Sequence, residues 1–204
     1  MKTLNTLGAL LFTIPALVAQ EIVPMEEAQE AARKLVATSA PIADLPLKVE
    51  PDAEKPSAVK ADKAGAMIIP AKGLSAEKLE AAADSPIPLG QLWSLRLSVA
   101  ANGKAIESDK VRLVTVTDGE KQHELELYLV GARKGAQGAL ELVVFGKGNE
   151  PVARAPLAKR PASGTAQLPI ELSGRKESDD TGTITLNLFG QYQADLPVAR
   201  SVRE

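Results

Sequence analysis

Trp93-Ser94-Leu95-Arg96-Leu97-Ser98-Val99, followed after two alanines by Asn102-Gly103, is the stretch that decides the fold class. Trp93, Leu95, Leu97 and Val99 recur at every second position, and Ser94, Arg96 and Ser98 fill the places between them. A period of two belongs to a strand with one buried and one solvated face. Asn-Gly tolerates positive φ at the centre of a tight turn, so a hairpin is expected, with Lys104 to Glu107 as the return strand.

The same grammar continues downstream. Val111 to Thr117 is rich in β-branched residues, Asp118-Gly119 is a second turn, and Leu125, Leu127 and Leu129 alternate with Glu124, Glu126 and Tyr128. Leu140 to Phe145 is apolar on both faces, as in a central, covered strand. Leu168, Ile170 and Leu172 form another face, and Pro169, which lacks an amide hydrogen, assigns that strand to an edge. Thr183 to Phe189 and Gln191 to Val198 keep one parity through Gly190; a straight strand of that length would be too long for the domain, so a kink or turn is expected there. About seven to nine short strands with frequent turns point to an all-β, antiparallel sandwich or barrel, and a sandwich over residues 85–204 is the expected fold.

Upstream the pattern changes. Pro24 with Glu26 and Glu27 opens a helix, and Ala28, Ala31, Ala32, Leu35 and Val36 give it a modest apolar stripe. From Thr38 to Lys63 the prolines at 41, 46, 51 and 56 lead to an expectation of an extended, mobile linker. Ala66 to Pro70 reads as one strand, and Ser75 caps a second short helix carrying Leu79 and Ala82. Residues 20–84 therefore read as a helical and proline-rich lead to the sandwich. Before it, Lys2, the apolar run Leu7 to Val18 and the small Ala19 have the order of a cleaved secretory signal over residues 1–19, with cleavage after Ala19. An uncleaved anchor would need a longer apolar run.

Export usually permits disulfides, but the chain has no cysteine, so none holds it. Stability must come from packing. The net charge is -2, or -3 once Lys2 is removed with the leader, and no basic cluster is interleaved with aromatics. Nucleic acid is not an expected partner. Aromatic content is 3%, and Trp93, Tyr128 and Tyr192 are the rings on which a sugar would have to stack.

Candidate chemistry is sparse. His123 is the single histidine, and no Gly-x-Ser-x-Gly elbow singles out Ser94, Ser108 or Ser163 as its nucleophile. Glu124, Glu126 and Glu141 are the candidate carboxylates for glycoside hydrolysis, but alternation puts the first two on one sheet face, expected to be solvated. Glu177, Asp179 and Asp180 make an acidic turn of the kind that can bind Ca²⁺, although turn-forming is the ordinary role of such residues. Gly131, Gly135, Gly138, Gly146 and Gly148 flank strands and do not form a phosphate cradle, and Arg133-Lys134 and Lys159-Arg160 are short solvated pairs. No catalytic, cofactor-binding or metal-binding residue is assigned.

Asp180-Thr181-Gly182-Thr183-Ile184-Thr185-Leu186 resembles the Asp-x-Gly-x-Tyr-x-Cys corner of immunoglobulin-like domains, with Ile184 in place of the tyrosine and Leu186 in place of the cysteine. The leader, proline-rich lead and cysteine-free sandwich are also similar to small secreted immunoglobulin-like proteins of bacterial pilus clusters. The resemblance implies an immunoglobulin-like sandwich. The expected function is that of a non-enzymatic structural or protein-interaction module of the cell envelope, periplasmic or secreted, whose partner is another envelope or secreted protein. Two other expectations are kept open. One is a pilus or surface-assembly component; the other is a carbohydrate-active sandwich, which requires an exposed aromatic and opposed carboxylates in a cleft.

Overall fold

The structure, a computed structural model, describes residues 20–61, 63–161 and 166–201; the expected leader and its cleavage point after Ala19 lie outside them. In chain order the elements are β1 (Glu21–Ile22), α1 (Met25–Ser39), β2 (Ser57–Ala61), β3 (Ala64–Pro70), α2 (Ala76–Glu80), β4 (Ile87–Leu95), β5 (Leu97–Ala101) and β6 (Lys104–Ala105). After a short 3-10 turn at Ser108–Lys110 come β7 (Arg112–Asp118), β8 (Lys121–Lys134), β9 (Leu140–Phe145), β10 (Pro151–Pro156), β11 (Ala158–Lys159), β12 (Ile170–Lys176), β13 (Thr181–Leu188) and β14 (Tyr192–Arg200). The strands form two antiparallel sheets, one in the order β1-β2-β3-β4-β8-β9-β10 with β7 beside β8, the other in the order β12-β13-β14-β5-β6 with β11 beside β14. This is the all-β sandwich that the alternation specifies.

β8 is the spine of the first sheet. Over its 14 residues it pairs with β4 on one side, and with β7 and then β9 on the other. β7 and β9 meet end to end at Gly146, where a Cβ would collide with the Lys110 carbonyl, the group that accepts from Lys147 N at 2.8 Å. β9 is central and covered on both faces, as its apolar run requires. The turn expected at Gly190 is present: Phe189 and Gly190 both take positive φ, of 54° and 64°, and β13 returns as β14 with Leu188 opposite Tyr192. Asn102 and Gly103 do the same at 53° and 74°, although only Lys104–Ala105 of the expected return strand pairs.

The stretch from Trp93 to Val99 is two strands. At Arg96 the backbone swings to a φ of 57°, and the chain leaves the first sheet at Leu95 to enter the second at Leu97. That left-handed residue breaks the parity, so Trp93 and Val99 face different cores. Ser94 and Ser98, read from alternation as outward, are buried. Ser94 Oγ donates to Leu97 O at 2.7 Å, and Ser98 Oγ lies 3.1 Å from the Tyr128 hydroxyl. A second crossing follows β10, where Leu157 bridges to β11 in the second sheet.

Two apolar cores result, one on each face of the first sheet. Leu92, Tyr128, Val130, Leu142 and Val144 meet Ile170, Leu186, Leu188 and Leu196 between the sheets. Met67, Ile69, Trp93, Leu129, Val143 and Phe145 point the other way, against Ala28, Ala32 and Leu35 of α1. Burial of such a leucine or valine contributes roughly 1.5–3 kcal/mol, so both layers are integral to stability.

The upstream lead is corrected by the same contacts. β3 pairs with β4 from Gly65↔Leu95 to Pro70↔Gly90, so the sheet runs straight across the division read near Asp84. Part of the segment read as a mobile linker is β2, and Leu47 from its proline-rich portion is buried in the helix-side core. The prolines stop before β2 begins, which leaves Ser57–Ala61 free to pair. Ser75 caps α2 as expected, accepting from Lys78 N.

Candidate interaction edge

A sheet edge exposes unpaired amides and carbonyls that will pair with any extended chain unless something prevents it. The edges of this sandwich are treated differently from one another. Pro169 stands immediately before β12, and the lead covers that strand's rim. Ser57 Oγ accepts from Leu172 N at 2.9 Å, and the Gln20 side-chain oxygen accepts from Gly174 N. β10 has proline at both ends, Pro151 and Pro156, and a register shift between Pro151 and Ala153. β1 and β6 are two residues each, too short to template a partner.

β7 has none of these protections. It is seven residues of Arg-Leu-Val-Thr-Val-Thr-Asp without proline, and charge occurs only at its two ends. Among the described residues it pairs with β8 alone, in unbroken register from Arg112↔Leu127 to Asp118↔Lys121. The link between them is the two-residue turn Gly119-Glu120, with Gly119 at a φ of 62°. In a two-residue hairpin the closing pair exchanges both hydrogen bonds. Asp118, Val116 and Val114 therefore turn their backbone groups toward β8, and Thr117, Thr115 and Leu113 turn theirs outward.

The side chains of β7 divide in the same way. Val114 and Val116 are buried against α1, whereas Leu113, Thr115 and Thr117 are exposed, Leu113 at 40%. Leu113 ends a cross-strand row that runs Val59, Ala66, Ser94, Glu126, Leu113. The rest of the row lies beneath the second sheet. At β7 that sheet no longer covers it.

Glu126, read from the sequence as solvated, is only 3% exposed. Its face is the inter-sheet face. Its carboxylate accepts from the Tyr128 hydroxyl at 2.5 Å and from Ser201 Oγ at 3.1 Å. The Tyr128 oxygen also accepts from Val99 N at 3.3 Å. β8, β5 and the end of β14 are thereby tied together next to the crossing at Arg96. Burial, and after it the neighbouring Glu126 charge, push the Tyr128 phenol above its ordinary range. The alternation did register that Glu126 and Tyr128 share a face; the presence of a second sheet over it was the missing information.

The other sequence candidates do not converge. Glu124 is exposed, and Glu141 is paired with Arg133 at 2.6 Å. His123 lies on the surface opposite Val116, Ser94 is buried in the crossing, Ser108 opens the 3-10 turn, and Ser163 lies outside the described residues. In the acidic turn each of two carboxylates has its own protein partner. Thr183 and Arg175 hold Glu177 below the usual carboxylate range, and Lys176 does the same for Asp179. Asp180 donates its backbone N–H to Ser178 Oγ. Among the described residues no three histidine, aspartate or glutamate side chains are grouped to hold a metal ion.

Lys159 forms an ion pair with Glu80 at 3.1 Å, and Tyr192 donates to the same carboxylate at 2.7 Å, joining α2 to β11 and β14. An open groove of about 490 Å³ runs between Lys55, Leu74, Pro169 and Phe189, and a smaller one of about 240 Å³ between Arg160, Glu171, Asn187 and Gln193. Neither brings two carboxylates together. Trp93, Tyr128 and Tyr192 are buried at 1%, 0% and 4% exposure, so none offers a stacking platform. No described helix is long and apolar enough to cross a membrane. The chain matches no family model, no curated protein and no solved structure.

Proposed function

We propose that this chain is an exported, non-enzymatic interaction module that binds by adding a strand to the open edge of β7. The observation that carries the reading is the contrast between β7 and the edges at β1, β6, β10 and β12. Pairing along β7 would satisfy the outward amides and carbonyls of Leu113, Thr115 and Thr117 and cover the exposed Leu113 side chain. The leader-like order of residues 1–19 supports an extracytoplasmic setting, where an unguarded edge meets other envelope or secreted proteins. An immunoglobulin-like origin is proposed on Asp180 and Gly182 at the start of β13, with Ile184 and Leu186 filling core positions in place of tyrosine and cysteine. A carbohydrate-active role is disfavoured by the burial of all three large polar rings.

The test is capture from extracts of the source organism on immobilised wild-type protein and on a Thr115→Pro variant. Proline at 115 removes an outward amide that β8 does not use, so the fold is expected to survive. A protein retained by wild type and lost with Thr115→Pro supports the reading. Identical captures on both overturn it.

A further inference from the structure

We infer that the strand that pairs with β7 is β7 of a second copy, in antiparallel register about a two-fold axis at Thr115. This rests on the edge reading above. Reversed on itself, Arg112-Leu113-Val114-Thr115-Val116-Thr117-Asp118 matches position by position. Thr115 faces Thr115 of the second copy, Val114 faces Val116, Leu113 faces Thr117, and Arg112 faces Asp118. The axis falls on an outward residue, so Thr115 exchanges both backbone hydrogen bonds with its counterpart, and Leu113 and Thr117 do so with each other.

Charge supports the same register. Opposite charges meet at both ends of the paired strands, and like charges meet nowhere along them. Among the described residues Arg112 Nε is buried without a hydrogen-bond partner, and its Nη2 donates to Lys147 O at 3.1 Å. Asp118 of the second copy lies opposite it on the same face of the joined sheet; within its own chain Asp118 meets Lys34 at 3.2 Å on the surface. Leu113, 40% exposed in the single chain, packs against the methyl group of Thr117 across the join. The two first sheets become one continuous sheet, and the open edge disappears from both copies. A two-fold interface of this kind closes on itself and does not propagate into a fibre.

The chain has no cysteine, so single cysteines report the register directly. Cα atoms of a hydrogen-bonded antiparallel pair are about 5.5 Å apart, which a disulfide spans. Wild type is expected to be a dimer by light scattering, and Thr115→Pro a monomer whose melting temperature equals that of wild type diluted until it dissociates. Under mild oxidation Thr115→Cys is expected to cross-link at least tenfold faster than Thr117→Cys alone, whereas an equal mixture of Leu113→Cys and Thr117→Cys cross-links between the two variants. A monomer at every concentration overturns the inference, as does a dimer indifferent to Thr115→Pro or equal cross-linking of the three single variants. A monomer whose capture of an envelope protein still depends on Thr115 overturns self-pairing and leaves strand addition standing. A monomer whose captures ignore Thr115→Pro overturns both.

Discussion

β12 and β7 are edges of equal length, seven residues each, on the two sheets of one sandwich, and they are finished in opposite ways. β12 has a proline before it and side chains from Gln20 and Ser57 on its outward amides, whereas β7 presents Leu113, Thr115 and Thr117 bare. The lead closes one side of the sandwich, and the proposed association is left to the other side.

The strongest way to break that contrast is to loosen the layer that holds the lead in place. Trp93 lies in a row with Ala58, Met67 and Leu127 beneath α1, so Trp93→Ala is expected to cost about 3–5 kcal/mol in denaturant unfolding and to expose Leu172 and Gly174 to amide exchange. Tyr128→Phe acts inside the sandwich and touches neither edge. It removes a donor from Glu126 and an acceptor from Val99 N, and a loss of about 1–3 kcal/mol is expected with association unchanged.

The same phenol sets a pH dependence. Its folded pKa is raised, so its contribution is complete below the ordinary tyrosine range of about 10 and is lost as pH rises through the folded value. Wild type is expected to lose stability in that alkaline window more steeply than Tyr128→Phe, by thermal melts across pH.

A smaller effect is expected from Ser57→Ala, about 1 kcal/mol, because only one amide of β12 loses its acceptor. Its signature is a second mode of association, species larger than a dimer, as the guarded edge opens. The smallest effect on stability belongs to Leu113→Thr, within about 0.5 kcal/mol for an exposed position. Its self-association should nevertheless weaken measurably in sedimentation equilibrium.

Much of the sandwich was legible in the sequence because most of its strands downstream of Trp93 keep a period of two, and Leu140 to Phe145 announced a sheet covered on both faces. What covered the second face was not legible. Ala28, Ala32 and Leu35 make a narrow stripe whose partner is known only once Met67, Ile69 and Trp93 are placed beneath it. The break at Arg96 escaped for a related reason: a single left-handed residue leaves the alternation of letters intact while reversing the faces. The β7 strand itself was read from Val111 to Thr117, but an edge is a property of neighbours, and the neighbours of β7 follow from where β8 places β9.

Backbone amide exchange followed as a function of protein concentration tests the contrast most directly. The amides of Leu172 and Gly174 are expected to be protected at every concentration, and those of Leu113, Thr115 and Thr117 to be protected when concentrated and to exchange freely on dilution. Slow exchange at all three β7 positions in the dilute monomer would contradict the account, because it would mean that this edge is sealed from within the chain as β12 is.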